Sequence, residues 1–250
     1  MKKILEASAK ISKPIIACFL GGDPAILKDT NVMYAKTLED AGVMATQIAK
    51  GEVASSAWTQ DALIRLNTIS DSEKGRYRSE QKYIRGLYSG GTLTYESMLL
   101  GKDVLDSLYS NIKMEGTNLL QNVEKSEGHT FLDLGDDYFT DGRPHPMIDP
   151  RLRLQRMESE IEDPEVAVIL FDILLGFGSH EDPAGALLPA ILKAKSMERS
   201  ISFIATICGT EDDFQGFESQ RSKLEEAGVF VMNSNAEASR LALMLVYGRN

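Results

Sequence analysis

The 250-residue sequence has two cysteines, three histidines, a single tryptophan and no long apolar run. Each scarcity removes a class of protein. Cys18 and Cys208 stand alone in apolar, strand-like stretches, with no CxxC and no His-rich neighbourhood, which excludes a disulfide framework or a cysteine zinc site and predicts buried, reduced thiols. No apolar stretch approaches the ~20 residues needed to span a bilayer. The N-terminus, MKKILEASAKIS, is basic but lacks the apolar core of a signal peptide, so a cytoplasmic protein is expected. Positive charge is also scarce: 27 Lys and Arg against 37 Asp and Glu give a net charge of −10. That balance repels nucleic-acid backbones and anionic membranes, and neither is expected as a partner.

What remains is the composition of a globular protein, 43% hydrophobic and long enough to bury one large core or two smaller ones. The most informative stretch is Tyr83 to Met98, YIRGLYSGGTLTYESM. A run of aromatic and branched residues from Tyr83 to Tyr88 predicts a buried strand, Ser89-Gly90-Gly91 breaks it, and helix formers resume at Thr92. A glycine turn that opens a helix lets the backbone approach a ligand, and the free N–H groups of the first turn favour an anion. Ser89, Gly90, Gly91 and Thr92 are therefore candidate phosphate or anion ligands. The same residues also fit a plain strand-to-helix turn, because the Lys of a Walker loop and the third Gly of a dinucleotide fingerprint are missing.

Along the rest of the chain, residues 3 to 11 predict a short amphipathic helix and Ile15 to Leu20 a strand covered on both faces. A helix through MYAKTLEDAG stops at Gly42, a second strand runs from Val43 to Ile48, and a helix follows from about Val53 to Leu66. Residues 67–82, polar and without apolar periodicity, predict a linker between two domains, 1–66 and 83–250. Beyond the SGGT turn come strand 129–135, a long Gly/Pro/Asp-rich loop to Pro150, helix 151–162, strand 166–173, the loop LLGFGSHEDP and helix 184–199. Strand 201–207, helix 212–226, strand 229–232 and helix 236–245 close the chain, and Asn111 to Gly128 is either irregular or one more short strand. The alternation predicts an α/β fold of parallel sheets.

SKPIIACFLGGDP with TLEDAGVMATQIAKGEVASSAW parallels ISFIATICGTEDD with KLEEAGVFVMNSNAEASRLA, which suggests an internal repeat whose first copy is incomplete. Two strands cannot bury both faces of a sheet, so a partner subunit or a second copy is expected to complete the first domain.

RGLYSGGTLTYE, FLDLGDDYFTDGRPHPMIDP and VAVILFDILLGFGSHEDPAG together resemble the FdrA family of acyl-CoA-synthetase-like proteins. GRPHPMIDP is the most specific of the three. More distantly, the chain from Tyr83 resembles the ligase domain of the succinyl-CoA synthetase β subunit, and residues 1 to 66 the tail of the α-subunit domain. The resemblance implies two flavodoxin-like, ligase-type domains, the first incomplete, and lacks the CoA-binding domain with which FdrA proteins begin. It implies CoA or an acyl phosphate as ligand, with magnesium as an optional companion. It further implies carbamoyl transfer from carbamoyl phosphate to oxamate in allantoin breakdown, or a non-catalytic assembly role in such a complex. Succinyl-CoA synthetases carry a phosphohistidine after the strand that corresponds to Ile15–Leu20. Here that stretch reads GGDPAILKDTNVMY and holds no histidine.

Ligands of open parallel sheets sit beyond the C-terminal strand ends. His145, stiffened between two prolines, is a candidate acid–base residue, and Arg143 can fork onto a carboxylate or phosphate. His180 reads either as a further catalytic candidate or as a structural residue; with Gly178 and Ser179, candidate anion ligands, it precedes the helix that Asp182-Pro183 opens, where Asp182 reads as the cap and the helix N-terminus as a second anion site. His129 lies at the opposite edge and reads as a surface or packing residue. Asp133, Asp136, Asp137 and Asp141 read either as a solvated acidic loop with one cap or as magnesium ligands beside a phosphate. Cys208 reads as core.

Overall fold

The computed structural model describes residues 2–55, 59–197 and 200–247. The chain divides into two compact units, Met1–Leu66 and Asn67–Asn250.

The first unit contains α1 (Lys2–Ser8), β1 (Ile15–Ala17), a 3-10 turn at Pro24–Leu27, β2 (Val32–Tyr34) and α2 (Leu38–Ala49), followed by the start of α3 (Gln60–Glu73). β1 and β2 form a two-stranded parallel sheet. The expected second strand at Val43–Ile48 is instead the second half of α2. Gly42 sits inside that helix without a positive φ, and the residues after it, VMATQIA, include helix formers that keep the turn going. In the proposed second copy, Gly228 adopts φ +76 and ends the helix before VFVM pairs as a strand. The two AG signals thus have opposite outcomes, and the repeat is not present in the fold. Ile15 to Leu20 is not a doubly covered strand either: only three of its residues pair, and all six are half-buried.

The expected helix at 53–66 begins later, at Gln60, and 56–58 of that prediction lie outside the described residues. The expected irregular linker at 67–82 is largely ordered. α3 runs through Glu73 and a 3-10 turn follows at Lys74–Arg76. Apolar periodicity is absent because much of this segment's anchoring is polar. Ser202 Oγ donates to Glu73 Oε2 at 2.5 Å, Tyr77 Oη donates to Ser202 Oγ at 2.6 Å, and Gln81 Nε2 donates to the carbonyls of Val166 and Ser200.

The second unit is built on a seven-stranded parallel sheet. Its elements are β3 (Tyr83–Tyr88), α4 (Gly91–Gly101), β4 (Leu108–Ser110), β5 (Asn118–Leu119), β6 (His129–Asp133), α5 (Asp137–Thr140), α6 (Arg151–Glu162), β7 (Val166–Leu174), α7 (Pro183–Lys195), β8 (Ser202–Cys208), α8 (Phe217–Glu226), β9 (Phe230–Met232) and α9 (Asn235–Val246). The order is β5-β4-β6-β3-β7-β8-β9. Without the short pair β4 and β5 at one edge, this is the 2-1-3-4-5 order of flavodoxin-like folds.

Alternation along β3 sets the two faces. Tyr88 points toward α4 and α9, where its hydroxyl meets Ser97, which in turn meets Ser239. Arg85 points the other way, toward α6, and pairs with Glu160 and Asp163. The chain therefore leaves β3 toward one face and leaves its neighbours β6 and β7 toward the other. β7, with eight of nine residues buried, carries the core between them.

Candidate functional site

Because β3 leads to the face opposite from that of β6 and β7, its C-terminal end is the switch point of the sheet, the position at which parallel α/β sheets as a class form a ligand-binding crevice. Ser89 closes the strand and is fully buried. Its N–H and hydroxyl both donate to Asp172 Oδ1 on β7, at 2.9 and 3.1 Å. Arg153, in the first turn of α6, donates through Nη1 to Ser89 Oγ at 2.8 Å and through Nη2 to Asp172 Oδ1 at 3.0 Å and to the carbonyls of Leu87 and Asp172. Arg153 and Asp172 form an ion pair with side chains 4% and 1% exposed. Burial pulls the guanidinium downward in pKa and Asp172 opposes it. The buried Arg153 Nε has no partner among the described residues.

This pair bolts down the turn that follows. Gly90 is the N-cap of α4, in extended backbone, with no side-chain cap, so the first-turn N–H groups of Gly91 and Thr92 face outward. Of the four predicted anion ligands, Gly90, Gly91 and Thr92 are available at the switch point. The Ser89 hydroxyl is spent below it as an anchor. Neither Asp172 nor Arg153 was expected from the sequence. The available signal was one acidic residue inside the otherwise apolar run VAVILFDILL, near its C-terminal end, since a buried carboxylate requires a partner.

The loop after β6 brings a second group to the same place. A methyl placed on Gly135 would clash with the Ser89 carbonyl and would lie 2.5 Å from His145 Nε2 and 3.2 Å from Asp133 Oδ1, so these three groups converge on one glycine. His145 Nδ1 accepts the Met147 N–H at 3.2 Å. In its neutral form the ring then carries its proton on Nε2, a donor placed beside Gly135. Asp133 Oδ1 accepts the Gly135 N–H, and its Oδ2 lies 2.9 Å from where a Cβ on Gly91 would be. Only glycine at 91 leaves space for this carboxylate beside the helix N-terminus. Burial raises the Asp133 pKa, the Gly135 N–H and His145 oppose the rise, and Asp136 and Asp172 add to it. Asn111 clamps the Asp133 backbone on both sides.

The other candidates have different places. His180 braces loops: its N–H donates to the Met147 carbonyl, its Nδ1 accepts from Asp182 N–H, and its carbonyl accepts from Gln215 Nε2. Gly178 is exposed, and the Ser179 N–H donates to the Gly176 carbonyl. The N-terminus of α7 beside them is occupied by Asp182, whose Oδ1 accepts from Gly185 N–H and pairs with Lys223 at 2.8 Å. Burial works against the charged form of Asp182, but these donors hold its carboxyl below the ordinary range. Arg143 lines a separate cavity with Arg151.

His129 is not at the surface. It is 1% exposed, accepts the Ile84 N–H through Nδ1 and packs edge-on against Tyr83. Asp136 caps α5. Among the described residues no group of three or more His, Cys, Asp or Glu is arranged to hold a metal ion. Cys208, expected in the core, is exposed instead: it is the last residue of β8, paired there with Leu174 at the end of β7. Desolvation, then Asp172 and Asp213, raise its thiol pKa. No helix among the described residues is long and apolar enough to cross a membrane.

The sequence profile of the CoA-ligase family matches residues 87–245, from the end of β3 into α9, well over half of the chain. The chain belongs to the CoA-ligase family. The match begins just before the turn at Ser89 and takes in the whole candidate site. An uncharacterized protein of Escherichia coli strain K12, YahF, is 37% identical over 249 residues, covering 96% of this chain and 47% of its own length. The chain thus spans about half the length of this curated relative. Among solved structures, PH0766 from Pyrococcus horikoshii OT3 aligns over 98% of this chain and 48% of its own, at 15% identity and a TM-score of 0.38.

Proposed function

We propose that this chain is the ligase-domain part of an acyl-CoA-synthetase-like enzyme and that the Gly90–Thr92 turn binds the phosphoryl group of an acyl phosphate. The observation that carries this reading is the uncapped N-terminus of α4 at the β3 switch point, held from below by the Arg153–Asp172 pair. An anion there would accept first-turn N–H groups, with the His145 Nε2–H as a further donor to a phosphoryl oxygen. When an acyl carbon is attacked and its C–O bond to phosphate breaks, negative charge grows on that oxygen, and a donor already oriented toward it stabilises the leaving group.

The FdrA-like motifs support a narrower reading, in which carbamoyl phosphate is the acyl phosphate and the oxamate amide nitrogen the attacking group. The new bond joins that nitrogen to the carbamoyl carbon, phosphate leaves, and the nitrogen loses a proton. A second reading, a non-catalytic assembly subunit, is favoured by the lack of a histidine in the stretch from Gly21 to Tyr34 and by the half-buried run Ile15–Leu20, which a partner subunit or a second copy would cover. Titration calorimetry with inorganic phosphate and carbamoyl phosphate, followed by product assays with oxamate and with ATP, CoA and carboxylic acids, tests the enzyme reading. Phosphate binding that Gly90→Pro abolishes supports the site. No binding of either anion, with a folded chain, removes it.

A further inference from the structure

Acyl transfer at the Gly90–Thr92 turn calls for two proton carriers in opposite states, a donor for the leaving phosphate and an acceptor for the proton of the attacking nucleophile. The donor is in place. With Nδ1 accepting the Met147 N–H, neutral His145 carries its proton on Nε2 and has no lone pair left there to accept another. The acceptor has to be a carboxylate oxygen that is both free and beside the turn. Asp172 is buried below it, with Oδ1 given to Ser89 and Arg153. Asp136 is spent on capping α5.

Asp133 meets both conditions. Its Oδ1 accepts the Gly135 N–H at 2.8 Å, whereas its Oδ2 accepts no hydrogen bond and joins no ion pair among the described residues. This free oxygen lies 2.9 Å from where a Cβ on Gly91 would stand, against the first residue of α4. Asn111 donates to the Asp133 carbonyl and accepts the Asp133 N–H, each at 2.9 Å, so the carboxylate is aimed from a fixed strand end. Closing the turn to Gly135 employs Oδ1 alone and leaves Oδ2 without a structural task. We infer that Asp133 is the catalytic base of the transfer, its Oδ2 taking the proton of an N–H, O–H or S–H nucleophile as that nucleophile attacks the acyl carbon.

This role rests on the acyl-phosphate reading of the turn and adds the group that meets the incoming nucleophile. The new bond joins the nucleophile to the acyl carbon, the bond from that carbon to the phosphate oxygen breaks, and the electron pair leaves with phosphate. The proton goes to Asp133, which returns it to water after release. The acyl carbon is bonded directly to a phosphate oxygen, so a nucleophile about 3–3.5 Å from that carbon comes within reach of a carboxylate flanking the anion. Burial foremost, with Asp136 and Asp172, raises the carboxyl pKa against the Gly135 N–H and His145, which makes Asp133 a stronger base than an exposed carboxylate.

The test follows acyl transfer from carbamoyl phosphate to oxamate and from acetyl phosphate to CoA, alongside calorimetry with inorganic phosphate. Asp133→Asn keeps an oxygen for the Gly135 N–H but cannot take a proton. Its kcat should fall about 100-fold or more, while its affinity for phosphate should hold or improve, since a negative charge beside the anion is gone. In the wild type, kcat should climb as pH rises through the raised carboxyl value, because the base works only when ionised, and the Asn variant should lose that limb. Formate should restore activity to Asp133→Ala, a rescue that a structural aspartate would not show. Melting curves matching the wild type confirm folding. The assignment is overturned if Asp133→Asn keeps its kcat within about threefold, keeps the same pH limb, or loses phosphate affinity as steeply as it loses kcat. A chain that binds phosphate at the turn but transfers neither acyl group loses this base and keeps the anion reading. A chain that binds no phosphate loses both.

Discussion

The Arg153–Asp172 pair makes the sharpest demand on the chain, and its removal has a calculable signature. Both side chains are almost wholly buried, and Asp172 serves three donors at once: Ser89 N–H, Ser89 Oγ and Arg153 Nη2. Replacing either member alone leaves the other charge buried without its counter-ion, which costs about 3–5 kcal/mol. Arg153→Met and Asp172→Leu should each lose that much. The double variant should not lose twice as much. With both charges gone, no buried charge is left, and the remaining penalty is that of neutral groups: the Ser89 N–H and hydroxyl without Asp172, and the carbonyls of Leu87 and residue 172 without Arg153, about 1–3 kcal/mol for a group that finds no other partner. The double variant should therefore be more stable than either single one, with a large coupling term in the cycle. Urea unfolding followed by circular dichroism measures all four proteins. The functional signature points the opposite way. The double variant folds but has lost the bolt beneath Gly90, so its affinity for phosphate should fall at least about tenfold, the equivalent of ~1.4 kcal/mol. A double variant destabilised by the simple sum of the singles, or one that binds phosphate as wild type does, refutes the claim that this pair positions the turn.

Asp133 supplies a pH dependence. Its carboxyl pKa is raised, so the folded chain holds that proton more tightly than the unfolded chain does. The stability linked to it is full below the ordinary carboxyl value and falls as pH rises through the raised one. An anion at Gly91 raises that pKa further, so phosphate affinity should also decline as pH rises through this window, and Asp133→Asn should flatten the decline. Calorimetry between pH 4 and 8 checks it, and an equally steep profile in the Asn variant would count against it. Gly135→Ala should disturb the convergence of the Ser89 carbonyl, His145 and Asp133, costing about 1–3 kcal/mol by overpacking together with most of the phosphate affinity; a neutral effect on both in unfolding and binding assays would be contrary evidence. Glu160 accepts from Arg85 Nε at 2.7 Å, Arg156 Nε at 2.6 Å and Ser126 Oγ at 2.5 Å, all buried or partly so. Glu160→Ala should cost about 3–5 kcal/mol, with amide exchange rising first around Val123–Gly128, and uniform acceleration across the sheet would contradict that order.

How much of this could be read from the residues follows from what kind of interaction fixes each part. The second unit was legible where its strands are buried on both faces; the short edge strands β4, which was not expected, and β5, which is exposed, carry no such run. Runs such as VAVILF leave no other reading, and the Gly-rich breaks after them mark the edge where ligands bind. α6 was readable to the residue because Pro150 starts it and Asp163-Pro164 stops it. The first unit was not legible, because its strands are three residues long and its helix passes through a glycine that elsewhere acts as a stop. A local AG signal is decided by what pairs beyond it. VFVM finds β8 to pair with, whereas VMATQIA remains helical.

The same distinction separates the site residues that were visible from those that were not. Gly90, Gly91 and His145 stood out as candidates because turns and proline-flanked histidines have local signatures. Arg153 and Asp172 act across 19 residues of sequence, and their pairing exists only once α6 lies over β7. An arginine in a helix otherwise marked by charge gives no sign of burial. The aspartate does, because a lone carboxylate in a strand this apolar would cost several kcal/mol unless the fold supplied it with donors. The donors it receives include the backbone of the turn that opens the proposed anion site. A chain that accepts the desolvation cost of a buried ion pair at that point gains little stability over an apolar alternative. What it gains is a fixed orientation for the N–H groups of α4, and that is the property an anion site requires.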